Sequence, residues 1–197
     1  MSYLIPSSLL RYTAGPSAQG MQFDISSSRY YNPIYTGSVT TLVVTLNQLY
    51  AIPFFAGPGG VLSEVAAYVT AAGAAGSVLR VGVYRATSRT DLYPGPLVCD
   101  AGEFAGDSTG LKNGTVSAVM TPGLQHYVVF IAGVSAPTVR AASFSTLNGV
   151  NLSSTLVPGS GWTKAQAYGA LPSTFPAGGS AGQSTMPIVG VQFSAVY

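Results

Sequence analysis

Charge is what this 197-residue sequence has least of. Asp, Glu, Lys and Arg fill 7% of positions, against about 25% in ordinary soluble domains. Two readings follow. The surface is solvated by Ser, Thr, Asn, Gln and Gly, or part of it is buried in an assembly, since interface cores are depleted in charge. The net charge is +2 and the eight basic residues are scattered. That leaves no electrostatic footprint for nucleic acid. The single cysteine, Cys99, excludes an internal disulfide and a cysteine-rich metal site. Beside Leu97 and Val98 it reads as a small buried apolar residue. No apolar run reaches the roughly 18 residues that a membrane-spanning helix needs. Met1 to Leu10 lacks a basic region followed by an apolar stretch, so no signal peptide is expected and synthesis is expected in a cytoplasm.

Reactive groups are equally sparse. The one histidine, His126, stands in the apolar stretch Tyr127-Val128-Val129-Phe130 and reads as a structural residue. No Gly-x-Ser-x-Gly elbow precedes a helix. The acids are Asp24, Glu64, Asp91, Asp100, Glu103 and Asp107. Asp100 and Glu103 are close, but an odd spacing on a strand sends them to opposite faces. The glycines at 57, 59 and 60 are not followed by Lys-Ser or Lys-Thr, so they do not form a phosphate loop. No calcium-loop pattern is present. The expectation is a protein that is not an enzyme and uses no cofactor or metal.

Glycine (24) and proline (13) are abundant. With few Glu and Lys, this predicts many short strands joined by turns. Strands are expected at Val39–Leu46, Leu49–Phe55, Val61–Thr70, Val78–Arg85, Pro96–Phe104, Thr115–Met120, Gln125–Ala132, Thr138–Phe144 and Ile188–Val196. In Val78–Arg85, Leu79, Val81 and Val83 share one face and Arg80, Gly82 and Tyr84 the other. Gln125–Ala132 is apolar on both faces and reads as a central strand. Asn113-Gly114 is a hairpin-turn signal, and Thr121-Pro122-Gly123 suits a tight turn. Asn148 to Gly182 reads as a long polar loop. Its aromatics, Trp162, Tyr168 and Phe175, are the candidates for an exposed ligand-facing site, because Tyr and Trp stack on sugars and anchor interfaces.

Residues 1–36 differ from the sandwich expected over 37–197. They are Ser- and Tyr-rich with little periodicity, and read as an extended N-terminal arm. Ordering about 35 residues at roughly 1–2 kcal/mol each requires on the order of 1,400–2,800 Å² of apolar burial. Tyr3, Leu4, Ile5, Leu9, Leu10, Tyr12, Phe23, Tyr30 and Tyr31 are the candidate attachment residues, and another subunit is their expected partner.

Several phrases, in order, carry a resemblance. They are Arg29-Tyr30-Tyr31, Asn47-Gln48-Leu49-Tyr50-Ala51-Ile52-Pro53-Phe54-Phe55, Gly76-Ser77-Val78-Leu79-Arg80-Val81-Gly82-Val83-Tyr84, Pro94-Gly95-Pro96-Leu97-Val98, Ala136-Pro137-Thr138-Val139-Arg140 and Leu171-Pro172-Ser173-Thr174-Phe175-Pro176. Across residues 29–197 the chain resembles a β-sandwich module of tailed-bacteriophage virion proteins, found in tail and head fibres and akin to capsid decoration domains. The resemblance implies a jelly roll, a homotrimer, a place in the virion and no reaction. Fibre chains carry a long shaft before this module, whereas here only the arm precedes it. The function expected is a capsid decoration or head-fibre protein, bound through its arm to major capsid or other virion subunits. The alternative is a tail-tip module that binds a receptor or host-surface glycan. No membrane insertion is expected.

Overall fold

The computed structural model describes residues 29–31, 37–55, 59–144 and 161–196. Among these residues there are strands and turns but no helix, and so no helix able to cross a membrane. Eight strands form the frame: β1 (Gly37–Val43), β2 (Gln48–Phe55), β3 (Gly60–Ala71), β4 (Val78–Ala86), β5 (Pro94–Ala105), β6 (Gly110–Met120), β7 (Gln125–Gly133) and β8 (Thr138–Phe144). They are distributed over two antiparallel sheets. The first runs β1-β8-β3-β6 and the second β2-β7-β4-β5. This is the doubly wound order of a jelly roll, two Greek keys folded over one core. The expected all-β sandwich is therefore the observed architecture.

Four further strands bring each sheet to six. β9 (Trp162–Ala165) pairs with β2, and β10 (Ser180–Ala181) with β9. β11 (Thr185–Pro187) lies along β8, and β12 (Val189–Val196) along β3. β3 meets β8 directly at Val69↔Val139 and Ala71↔Thr138. Most of the remaining length of β3 on that side is paired with β12.

Alternation explains the core. Leu79, Val81 and Val83 of β4, with Val128, Phe130 and Ala132 of β7, point between the sheets. Leu62, Val65, Val69, Val139, Val191 and Phe193 meet them from the first sheet. β7 is central as expected, between β2 and β4. Its other face, Tyr127, Val129 and Ile131, belongs to a second cluster on the outside of the second sheet. That is why β7 is apolar on both sides.

Two sequence expectations are corrected. Asn113-Gly114 is not a turn: it lies inside β6, opposite Ala66 and Val65. Glycine is needed there for packing, because a Cβ at 114 would stand 2.6 Å from Cζ of Phe104. The 148–182 tract is not wholly a loop, since β9 and β10 lie within it, and residues 145–160 are outside the described residues. The turn at Thr121-Pro122-Gly123 is present. Leu124 N–H donates to the Thr121 carbonyl at 3.4 Å, and Gly123 has φ 69°. Position i+2 of a type II turn requires such a φ.

Candidate functional site

The outer face of the second sheet is where the sequence candidates gather. Residues 166–179 cross it as a strap. Backbone bonds tie the strap to β5: Leu97 N–H donates to Ser173 O and Phe175 N–H to Gly95 O, both at 2.9 Å. Two tyrosines fix it further, and a third braces the sheet below. Tyr84 Oη donates to Pro172 O at 2.7 Å and Tyr93 Oη to Pro176 O at 2.5 Å. Tyr127 Oη donates to Leu92 O beneath. Burial pushes the Tyr84 and Tyr127 hydroxyls far up, so both remain protonated donors.

The three candidate aromatics part company here. Phe175 is 3% exposed and meets Tyr84 and Tyr93 edge-on at 5.6 and 5.7 Å. Its reading as an exposed residue is corrected: it is the plug of the second cluster, because the outer face of β4 and β7 is apolar and needs a cover. Trp162 is half-buried, edge-on to Tyr93 at 4.7 Å. Tyr168 is half-buried and donates to Glu103 Oε2 at 2.8 Å.

Tyr168 opens onto a dense polar group. Arg80 Nε donates to both oxygens of Asp100 at 2.9 and 2.8 Å. Gly102 N–H and Leu171 N–H also donate to Asp100, at 2.9 and 3.2 Å. The expectation that Asp100 and Glu103 face opposite ways is overturned. Opposite them the register slips between Arg80 and Gly82, so Glu103 faces Arg80 while Asp100 faces Gly82. Gly102 at φ 87° makes the bulge. Both carboxylates therefore bond the strap. Burial and the facing Glu103 carboxylate push the Tyr168 hydroxyl far up, keeping it a donor. The chemistry of this group is anchoring: each carboxylate is held by donors from a neighbouring element.

Sequence reasoning missed the strap's footings, although a signal existed. Glycine inside a strand marks close approach of another group. Leu171 sits on Gly82 and Tyr168 on Gly133, where added Cβ atoms would each come to 2.4 Å of the strap.

The other reactive groups are likewise engaged. His126 is fully buried. Thr121 N–H donates to its Nε2 at 3.3 Å, so the proton sits on Nδ1 and is donated to Leu124 O at 3.0 Å. Burial, helped by Arg85, lowers its pKa to about 4. Cys99 is half-buried against the main core rather than fully enclosed, and burial raises its thiol to about 11. Among the described residues no three His, Cys, Asp or Glu side chains converge as metal ligands.

The outer face of the first sheet differs. The first sheet carries exposed Val39 (72%) and Val43 (64%) on β1 and Leu111 (50%) and Val119 (62%) on β6, at its opposite edges. Leu111 is paired with Tyr68, and the Arg140 guanidinium lies 4.3 Å from the centre of the Tyr68 ring. Glu64 accepts from Asn113 Nδ2 at 2.8 Å.

Of the attachment candidates, Tyr31 pairs with Val191 through two backbone bonds of 2.8 and 3.0 Å. Its ring meets Phe193 edge-on at 6.2 Å, so it is seated on its own sandwich. Tyr30 beside it is half-buried. Tyr3, Leu4, Ile5, Leu9, Leu10, Tyr12 and Phe23 lie outside the described residues. No family model and no curated protein matches the chain.

Proposed function

We propose that the protein is a structural component of a bacteriophage virion, a decoration or head-fibre protein that holds other virion subunits. The reading rests on the sequence phrases that resemble virion sandwich modules, together with one structural observation. The reactive side chains in the sandwich are used for construction. His126 closes a turn, Cys99 packs on the core, and Asp100 and Glu103 hold the strap. A rigid body of this kind suits a binding role, and the low charge suits burial against neighbours.

In this reading the N-terminal arm makes the attachment. The test is binding of purified full-length protein, and of a form lacking residues 2–28, to virions from which the protein has been omitted. The full chain is expected to bind and the truncated one to be lost in the wash. Equal binding of the two removes the arm from the attachment. Failure of the full chain to bind any virion overturns the reading itself.

The alternative of a glycan-binding tail tip draws on Trp162, the half-buried aromatic at the sandwich edge. A glycan array signal abolished by Trp162→Ala would favour it.

A further inference from the structure

We propose that Asn113-Gly114 is a deamidation site that the fold keeps closed and unfolding opens, so that chemical change at this pair is a one-way record of lost β6 pairing. The dipeptide that reads as a turn signal is also a reactive one. Where glycine follows asparagine, no side chain shields the glycine nitrogen. In an unfolded chain that nitrogen attacks Cγ of the asparagine. A C–N bond forms and closes a succinimide ring, and the side-chain nitrogen leaves as ammonia. Water then opens the ring to aspartate or isoaspartate. No oxidant or reductant is needed.

The folded strand denies the attack its geometry. Asn113 and Gly114 lie within β6, opposite Ala66 and Val65 of β3. An antiparallel strand has ψ of about +135°, which turns the Gly114 nitrogen away from the Asn113 side chain. Rotating that peptide into position would pull it out of the ladder. It would also disturb a close contact, because a Cβ at 114 would stand 2.6 Å from Phe104 Cζ and 2.9 Å from the Ala101 carbonyl oxygen. The leaving amide is engaged as well, since Asn113 Nδ2 donates to Glu64 Oε1 at 2.8 Å. Solvent access is not the barrier, for Asn113 is exposed. The barrier is conformational, so the rate follows the population of chains in which β6 has opened.

The same neighbours oppose closure afterwards. Glu64 stands opposite Thr115 and so lies diagonal to Asn113. Aspartate at 113 replaces a donor with a second carboxylate beside Glu64, and like charges on paired strands are destabilising. Isoaspartate is worse. It routes the backbone through the side chain and lengthens β6 by a carbon, so the residues from Gly114 to Met120 lose their match with β3. Among the described residues β6 pairs with β3 alone, and no second ladder compensates. A chain that converts while open therefore cannot close as before. This inference stands apart from the virion reading, and either can fail without the other.

The test is incubation of the full chain at neutral pH, with and without denaturing guanidinium chloride. Peptide mass spectrometry reads conversion at 113 separately from that at the second such pair, Asn148-Gly149. Conversion at 113 should be at least about tenfold slower without denaturant, the factor supplied by about 1.4 kcal/mol of opening cost. A smaller difference overturns the closed site. Partly converted chains are then returned to native buffer, and the compact fraction is separated by gel filtration. Isoaspartate at 113 should be depleted among the compact chains. Equal isoaspartate in the compact and the non-compact fractions overturns the one-way record.

Discussion

Tyr168 rests its ring on Gly133, so closely that a β-carbon at 133 would lie 2.4 Å from the ring's Cγ. The contact joins the strap to the central strand of the second sheet, and the same tyrosine reaches Glu103. Gly133→Ala must move the ring and break that bond. The expected loss is about 1–3 kcal/mol, as for other overpacked sites. Urea denaturation measures it. An unchanged midpoint would mean that the strap does not depend on this footing.

Phe175→Ala should be more severe. Truncating a buried phenylalanine costs about 3–5 kcal/mol, and here the side chain also plugs the space beside Tyr84 and Tyr93. Beyond the fall in stability, chymotryptic cutting at Tyr168 should quicken under native conditions. Protection equal to that of the parent would show that the hydrogen bonds alone hold the strap.

Histidine protonation should make the fold acid-sensitive. In the folded protein His126 titrates near 4, against an ordinary value of 6.5. Between those values the unfolded chain binds the extra proton, so stability falls as pH drops from about 6.5 to 4. The full effect is about 3 kcal/mol at 1.36 kcal/mol per pH unit. Denaturation midpoints at pH 7 and 4.5 should differ in the parent and differ less in His126→Gln. A slope unchanged by the substitution would place the acid sensitivity elsewhere.

Asn113→Thr distinguishes a strand from a turn. In the exposed middle of β6 a β-branched residue is accepted, and the cost should stay within about 0.5 kcal/mol, the lost bond to Glu64 included. In a two-residue turn requiring positive φ, threonine would cost well over that. Thermal melting decides.

Much of the architecture was legible because its signals are local. Alternation in Val78–Arg85 and the unbroken apolar run of Gln125–Ala132 state which faces are buried, and the observed packing follows them. Asn113-Gly114 misled because turn chemistry is a local preference, while the need for glycine under Phe104 arises from a neighbouring strand. The Asp100–Glu103 pair misled for a related reason. Face alternation holds only while the register is regular, and Gly102 breaks it. Phe175 was hidden differently. Nothing in a Pro- and Ser-rich segment says that it will lie across an apolar sheet, although Gly82 and Gly133 within strands hinted that something does.

The narrow meeting of β3 with β8 bears on the order of assembly. The remaining length of β3 is paired by β12, and Tyr31 bonds Val191, so segments from opposite ends of the sequence complete one sheet. Contacts so distant in sequence form slowly, on the millisecond-to-second scale of all-β proteins. On the ribosome, β3 must wait with one edge largely open until residues 189–196 have emerged. That sheet should therefore close only once residues 189–196 are out, and its period of greatest exposure to aggregation is the time taken to translate the strands between β3 and β12.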